Sequence, residues 1–368
     1  LTMIGDIIEL AHKKKTFDRI QDAKWAYTTR RIDRTQPFGL IEPPTAPTSG
    51  DIALARVTKI GQHKRIELTN GRKARLYPGD QVVVAYGNRY APDQFEAVIP
   101  DTLGKCDLVA AGGVASKLTL KHGSMKAPTT ITPLGLLADE NGKVVNLADH
   151  ALSPKVPGNL RPPVIAVLGS SMNAGKTTTA AHLIRGLSGS GLSVNAGKVT
   201  GTGAGRDTWS LKDAGARFVL DFVDAGHPST YLITPAAVKR TLATLLAHLH
   251  MPGTDIIVIE IADGLHQSET AGLASSDLFS QLVDGVLYAA GDALGAVYGA
   301  RLLHQWGVDV LAISGMVTRS PLAMREIQDG IDLPILTTKA LRKPSVIDVI
   351  DTRLHLKDTA LRRSGDLR

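Results

Sequence analysis

The chain has 368 residues, 43% of them apolar and 4% aromatic, with 42 Lys and Arg against 35 Asp and Glu for a formal net charge of +7. That length supports two or three domains with cores of their own. A single cysteine, Cys106, excludes an internal disulfide framework and a thiolate zinc centre and makes a reducing, cytoplasmic setting the expectation; no run of about 18 apolar residues occurs, so no membrane-spanning helix is expected.

Residues 2 to 34 read as helical and basic, carrying Lys13, Lys14, Lys15, Arg19, Lys24, Arg30, Arg31 and Arg34, and positive charge returns at Arg362, Arg363 and Arg368. A solvated helix face or tail accounts for such charge. Nucleic acid is the less favoured partner, kept open by Trp25 and Tyr27 between the basic residues. The stretch from Pro37 to Gly50 is Pro-rich and reads as a linker, which closes a first segment, 1–50. From Asp51 the texture changes to short strands: Ile52 to Ile60, Arg65 to Leu68, Ala74 to Tyr77, Gln81 to Tyr86, Leu108 to Ala111, Lys117 to Leu120 and Val144 to Leu147. Turn signals at Asn70-Gly71 and Pro78-Gly79-Asp80 separate them, so 51–150 is expected to be a small all-β domain, barrel or sandwich.

A second Pro-rich connector, within 151–162, leads into a region where strand and helix alternate. Strands are predicted at Val164 to Leu168, Ser193 to Lys198, Ile256 to Ile261, Gly285 to Ala290 and Val308 to Ser314, and Thr234 is set to cap a helix over Pro235 to His250. This alternation over 163–343 predicts an α/β domain with a doubly wound, mostly parallel sheet. The remainder, 344–368, reads as a charged tail.

The motif that carries chemistry is Gly169-Ser170-Ser171-Met172-Asn173-Ala174-Gly175-Lys176-Thr177-Thr178, between a strand and an amphipathic helix. In that context backbone N–H groups cradle a nucleotide's phosphates, Lys176 reaches the β and γ phosphates and Thr177 ligates Mg²⁺. The gap between Gly169 and Gly175 is one residue longer than the commonest phosphate loop. Three further features sit at predicted strand ends. Glu260, with Asp263 as second choice, ends an apolar strand where a carboxylate meets Mg²⁺; Lys198 enters a glycine-rich loop; Asp207 follows that loop. His266 and Glu269, then Asp221, Asp224, Thr230 and Tyr231, are weaker candidates for the same cleft.

Together the longer loop, Lys198-Val-Thr-Gly-Thr-Gly203 and Ile259-Glu-Ile-Ala-Asp-Gly264 resemble, in the same order, the corresponding segments of dethiobiotin synthetase. The resemblance covers about 163 to 340 and continues weakly through Ala290-Gly-Asp-Ala-Leu-Gly295 and Ser314-Gly-Met-Val-Thr-Arg-Ser-Pro321. It implies a P-loop fold that uses ATP and Mg²⁺, with Lys176 and Lys198 stabilising phosphate charge and Thr177, Asp207 and Glu260 around the metal. It also implies that Thr318 to Pro321 form the base-side loop, and that a homodimer completes the site. Two segments depart from it: Ser170-Ser171-Met172 inside the loop, and Ala262 to Gln267 on the substrate side. Nothing in the resemblance covers 51–150.

The leading expectation is a kinase-like or ligase-like enzyme that transfers the γ-phosphoryl group of ATP to an oxygen of a small anionic substrate. One alternative is a nucleotide-hydrolysing accessory or regulatory module of cofactor biosynthesis, as in the related molybdopterin-guanine dinucleotide accessory proteins. Another is a polynucleotide 5′-hydroxyl kinase. Guanine specificity is disfavoured, because Thr338-Lys339-Ala340 is followed by Leu341 where a base-reading Asp is needed.

Overall fold

A computed structural model describes residues 14–42, 45–158 and 161–354; Lys13, Arg362, Arg363 and Arg368 lie outside them. The chain divides into two units. The first comprises residues up to 152 together with two later segments, 202–205 and 223–231, and the second holds the rest.

The first unit is a β-barrel built on five strands. Gln81–Tyr86 pairs antiparallel with Ile52–Lys59, which pairs with Thr129–Ala138, then Cys106–Ala110, then Val114–Lys121; the last returns to Gln81–Tyr86 in parallel and closes the ring. Side chains alternate in and out along a strand, so Ala53, Ala55, Val57, Val82, Val84, Tyr86, Leu108, Ala115 and Ile131 share the interior. Of the β-strand expectations, Val144 to Leu147 is not one: Asn146 instead caps a short 3-10 turn, Leu147–His150. The helical texture predicted for 2 to 34 holds over 14–22 and stops, since Lys24–Trp25 then joins the sheet beside Gln81–Tyr86.

Trp25 and Tyr27 are buried at 2% exposure each, with the Trp25 indole N–H donating to the Ile20 carbonyl at 2.9 Å. They are core side chains and offer no open ring to a base. Arg30 lies over the Tyr27 ring and pairs with Asp224 at 2.6 Å, with Arg31 at 3.7 Å from the same carboxylate. Asp224 thus works as an internal anchor of this unit rather than in a cleft. The segment 202–205 is anchored similarly, its Gly205 N–H donating to the buried Glu67 carboxylate at 2.8 Å. Tyr231, the last residue of 223–231, donates its hydroxyl to Glu96 at 2.9 Å.

In the second unit the strands are β1 (Val164–Gly169), β2 (Val194–Lys198), β3 (Val219–Asp221), β4 (Ile256–Glu260), β5 (Gly285–Ala289) and β6 (Val310–Ser314). All neighbours are parallel, in the order β3-β2-β4-β1-β5-β6. The helices are α1 (Lys176–Gly189), α2 (Arg206–Asp213), α3 (Pro235–Leu249), α4 (Ser268–Ala274), α5 (Asp277–Leu282), α6 (Ala293–Gln305), α7 (Pro321–Gly330), α8 (Thr338–Leu341) and α9 (Val346–Leu354). One sheet face, with Ile165, Val167, Val194, Ala196 and Val258, packs on Leu183, Leu187 and Leu211 of α1 and α2. The other face meets α3 and α6, where Gly197 abuts Leu249 and Gly299 makes room for the Tyr288 ring. Helices therefore cover both faces, as the buried, unalternating strands require. Thr234 caps α3 as expected, its side chain accepting from the Ala237 N–H. Strand carboxyl ends, where such sheets bind ligands, carry Lys198 and Glu260 and lead into the phosphate loop.

Candidate phosphate-binding site

β1 runs straight into the loop 170–175, and α1 starts at Lys176 with Gly175 as its N-cap. Asn173 has φ 64° and Gly175 φ 100°, left-handed values that an Asn and a Gly tolerate. Such turns point successive N–H groups inward and make an anion cradle, to which the first turn of α1 adds its own unsatisfied N–H groups. Gly169 is required by contact: a Cβ there would sit 2.7 Å from Lys176 Cγ and 2.9 Å from the Ala289 carbonyl. Lys176 Nζ folds over the loop and donates to the Ser171 carbonyl at 2.7 Å. Burial draws the Lys176 ammonium below the usual lysine range, opposed by the Glu260 and Asp263 charges.

The predicted charge cluster forms. Lys198, at the end of β2, hydrogen-bonds Asp207 in the first turn of α2 and stands 3.6 Å from Glu260 Oε1 at the end of β4. Thr177 donates its hydroxyl to that same Oε1 at 3.1 Å. Parallel pairing places Lys198 directly beside Glu260, with Asp221 on its other side. Burial alone would discharge Lys198, but Asp207 and Glu260 hold it well above its ordinary value. Asp207 is pushed up by burial and brought below its ordinary value by Lys198. Glu260 is raised, because full burial outweighs Lys198.

These residues fit a nucleotide with Mg²⁺. Glu260 Oε2 is buried and finds no hydrogen-bond partner among the described residues, an arrangement that costs free energy unless a cation satisfies it. Thr177, Asp207 and Glu260 would hold the metal; Lys176, Lys198 and the 169–178 backbone would hold the phosphates. Among the described residues no group of three or more His, Cys, Asp and Glu side chains forms a metal cage. Mg²⁺ does not need one, since it takes one or two carboxylates and completes its shell with water and phosphate oxygens.

Just upstream of the expected base-side loop, Thr318 to Pro321, the chain packs on the phosphate loop. Met316 N–H donates to the Ala174 carbonyl at 2.9 Å, and a Cβ on Gly315 would lie 2.4 Å from that oxygen. Thr318 braces this contact by donating to the Gly315 carbonyl at 2.8 Å, while Pro321 opens α7. Gly315 and Met316 were not singled out in the sequence; a φ of 96° at Gly315 leaves no local sequence signature beyond the glycine itself.

On the opposite side, Ala262 to Gln267 folds over the beginning of the loop. A Cβ on Gly264 would stand 2.5 Å from the Ser170 carbonyl. Thr200 and Thr270 both donate to the Ala262 carbonyl and fix the turn. Glu269 accepts from the Leu232 N–H at 2.6 Å and from the Gln267 and Ser268 side chains, so it holds local backbone. His266 is exposed and stacks on Tyr298 of α6, with ring centroids 5.7 Å apart. Tyr298 is 51% exposed and Leu294, one turn earlier, 79%. They form an open wall near Ser170, whose Oγ accepts from the Gly291 N–H just before α6.

Residues 164–271 match the family model of molybdopterin guanine dinucleotide synthesis protein B. No curated protein matches. Solved structures that match include the signal recognition particle receptor FtsY from Elizabethkingia anophelis, at 16% identity over 58% of this chain and 75% of that one, with a TM-score of 0.35. Chloroplast FtsY from Physcomitrella patens matches at 19% identity over 51% of this chain and 62% of that one, with a TM-score of 0.34. The motif, the parallel sheet and the family match together make the second unit a P-loop nucleotide-binding domain. Among the described residues no helix is long and apolar enough to cross a membrane.

Proposed function

We propose that the protein is a Mg²⁺-dependent nucleoside triphosphatase that serves as an accessory module in the biosynthesis of a nucleotide- or phosphate-bearing cofactor. The carrying observation is the cluster of buried Lys198 and Glu260 with half-buried Asp207 and Thr177 behind the phosphate loop. The match of 164–271 to a molybdopterin guanine dinucleotide synthesis family supports the accessory role. When bound, Mg²⁺ would neutralise charge on the β and γ phosphate oxygens. Lys176 and Lys198 stabilise the charge that moves during transfer, and Thr177 and Glu260 orient the metal side. ATP is favoured over GTP, because Leu341 stands where a guanine-reading Asp is needed and is fully buried in the core.

Purified protein is expected to release inorganic phosphate from ATP with Mg²⁺ and not with EDTA, and Lys176→Ala is expected to retain under about 1% of that rate. Wild-type protein that binds no nucleotide would sink this reading.

The wall of His266, Tyr298 and Leu294 supports a second reading, a dethiobiotin-synthetase-like transfer to a small anionic acceptor. With γ-labelled ATP and candidate acids, label recovered wholly as inorganic phosphate favours hydrolysis, and label on the acid favours transfer.

A further inference from the structure

In the first unit, the hairpin formed by Arg65–Glu67 and Lys73–Arg75 carries positive charge that the fold leaves unbalanced. Ile66 and Ala74 pack into the barrel core, so alternation turns Arg65, Glu67, Lys73 and Arg75 to the opposite face. Arg65 stands directly across from Arg75, a like-charge pairing that weakens a sheet. From Ile52 to Gly79 the one carboxylate is Glu67, and it is buried and accepts from the Gly205 N–H. Lys64, Arg65, Arg72, Lys73 and Arg75 are all exposed, and among the described residues none of them has an acidic partner within ion-pair reach. Tyr77 follows at 56% exposure, its ring centroid 5.6 Å from Arg75 Cζ and 5.9 Å from Lys24 Nζ. No other large apolar side chain of residues 52–80 is exposed.

We propose that this hairpin binds single-stranded nucleic acid, with Arg65, Lys73 and Arg75 on backbone phosphates and the Tyr77 ring stacked on a base. The role lies outside the nucleoside triphosphatase reading and does not depend on it. Phosphates spaced along a strand supply the anions that the hairpin lacks, and a base supplies a flat apolar face for an open ring. Ile66, Ala74 and Leu76 are fixed in the core, so the backbone that presents the cations is ordered before binding. Two other anionic partners fit less well. A membrane surface takes up several apolar side chains along with the cations, and here only Tyr77 is open. A protein interface has an apolar centre depleted of charge, whereas this face is charged throughout.

The test follows the fluorescence anisotropy of labelled, mixed-sequence RNA and DNA single strands of about 15 nucleotides. The full chain is titrated in over a salt series, as wild type, Arg65→Glu and Tyr77→Ala. Wild type is expected to bind with about micromolar affinity at about 50 mM salt, log K falling with log salt at a slope of roughly −2, as about three neutralised phosphates require. Arg65→Glu sets a carboxylate opposite Arg75, so it should melt at or above wild type. It should nevertheless bind about tenfold or more weakly, with a slope shallower by about 1. Tyr77→Ala should weaken binding about fivefold or more and leave the slope unchanged. Binding of either strand with these variant effects supports the proposal, and the tighter strand names the sugar. The proposal is overturned if wild type leaves the anisotropy unchanged at about 100 µM protein, or if Arg65→Glu and Tyr77→Ala both bind like wild type. A duplex of the same sequence, or vesicles containing phosphatidylserine, bound at least as tightly as the single strands would overturn it too.

Discussion

Lys198 and Glu260 share a buried neighbourhood, but they contribute in opposite senses. Lys198 is balanced by Asp207 and Glu260, so Lys198→Met leaves two carboxylates facing each other without their cation. Breaking a buried pair from one side costs several kcal/mol, about 3–5. The variant is expected to melt well below wild type at neutral pH and to lose ATP turnover. Glu260 is different. Its folded pKa is raised by burial, so ionising it opposes folding, and that penalty grows as pH rises above the unfolded carboxylate value. Glu260→Gln removes the penalty and keeps an acceptor for Thr177. Without ligand its melting temperature should equal or exceed that of wild type at pH 7 to 8. The stabilisation that Mg²⁺ and ATP add to wild type should shrink sharply in the variant, because Oε2 is the oxygen left for a cation. Thermal melts with and without Mg²⁺ and ATP read both effects. A Glu260→Gln protein that melts low in both conditions would show a purely structural carboxylate.

Between elements, close approach matters more than charge. On α1, a Cβ at Gly186 would lie 2.1 Å from the Leu341 carbonyl of α8, backbone that cannot rotate away. Gly186→Ala gains helix propensity, about 1 kcal/mol, but must push α8 off α1, an overpacking cost of about 1–3 kcal/mol or more. It is expected to lower stability in urea while leaving nucleotide affinity of the folded protein unchanged; a more stable variant would mean that α8 yields freely. Contacts of this kind were not legible in the sequence. The phosphate loop, Thr234 and the strand-end Lys198 and Glu260 were, because each depends on a local pattern: turn glycines, a cap, an apolar run ending in charge. Pairing across the sheet then brings Lys198 beside Glu260 automatically. The strand Thr129–Ala138 was hidden by Pro133 and Gly135, around which its pairing register shifts. The contacts of Gly264 with Ser170 and of Gly315 with Ala174 join residues distant in sequence and were equally invisible. So was the membership of 202–205 and 223–231 in the barrel unit, which depends on bonds such as Gly205 to Glu67.

For the molecule as a whole, the two units have separate cores and titrate differently. In the barrel unit His63 donates from Nδ1 to the Leu108 carbonyl and sits edge-on to Phe95. Burial, with a smaller contribution from the Arg89 charge, depresses its pKa to about 4. The sign follows from linkage: the folded state prefers the neutral ring, so the stabilisation is full above the unfolded value near 6.5 and is lost as pH falls towards 4. Full linkage allows about 1.4 kcal/mol per pH unit; because the ring is partly exposed, roughly 1–3 kcal/mol over the window is expected. His63→Asn keeps an N–H for the Leu108 carbonyl and removes the titration. Carboxylates titrate in the same range in both proteins, so the informative quantity is the difference between wild type and variant. Urea unfolding at pH 7, 6, 5 and 4 should show wild type losing that increment relative to His63→Asn, with the gap levelling off below about pH 4. Parallel stability curves would show that the ring takes up its proton in the folded barrel as easily as in the unfolded chain.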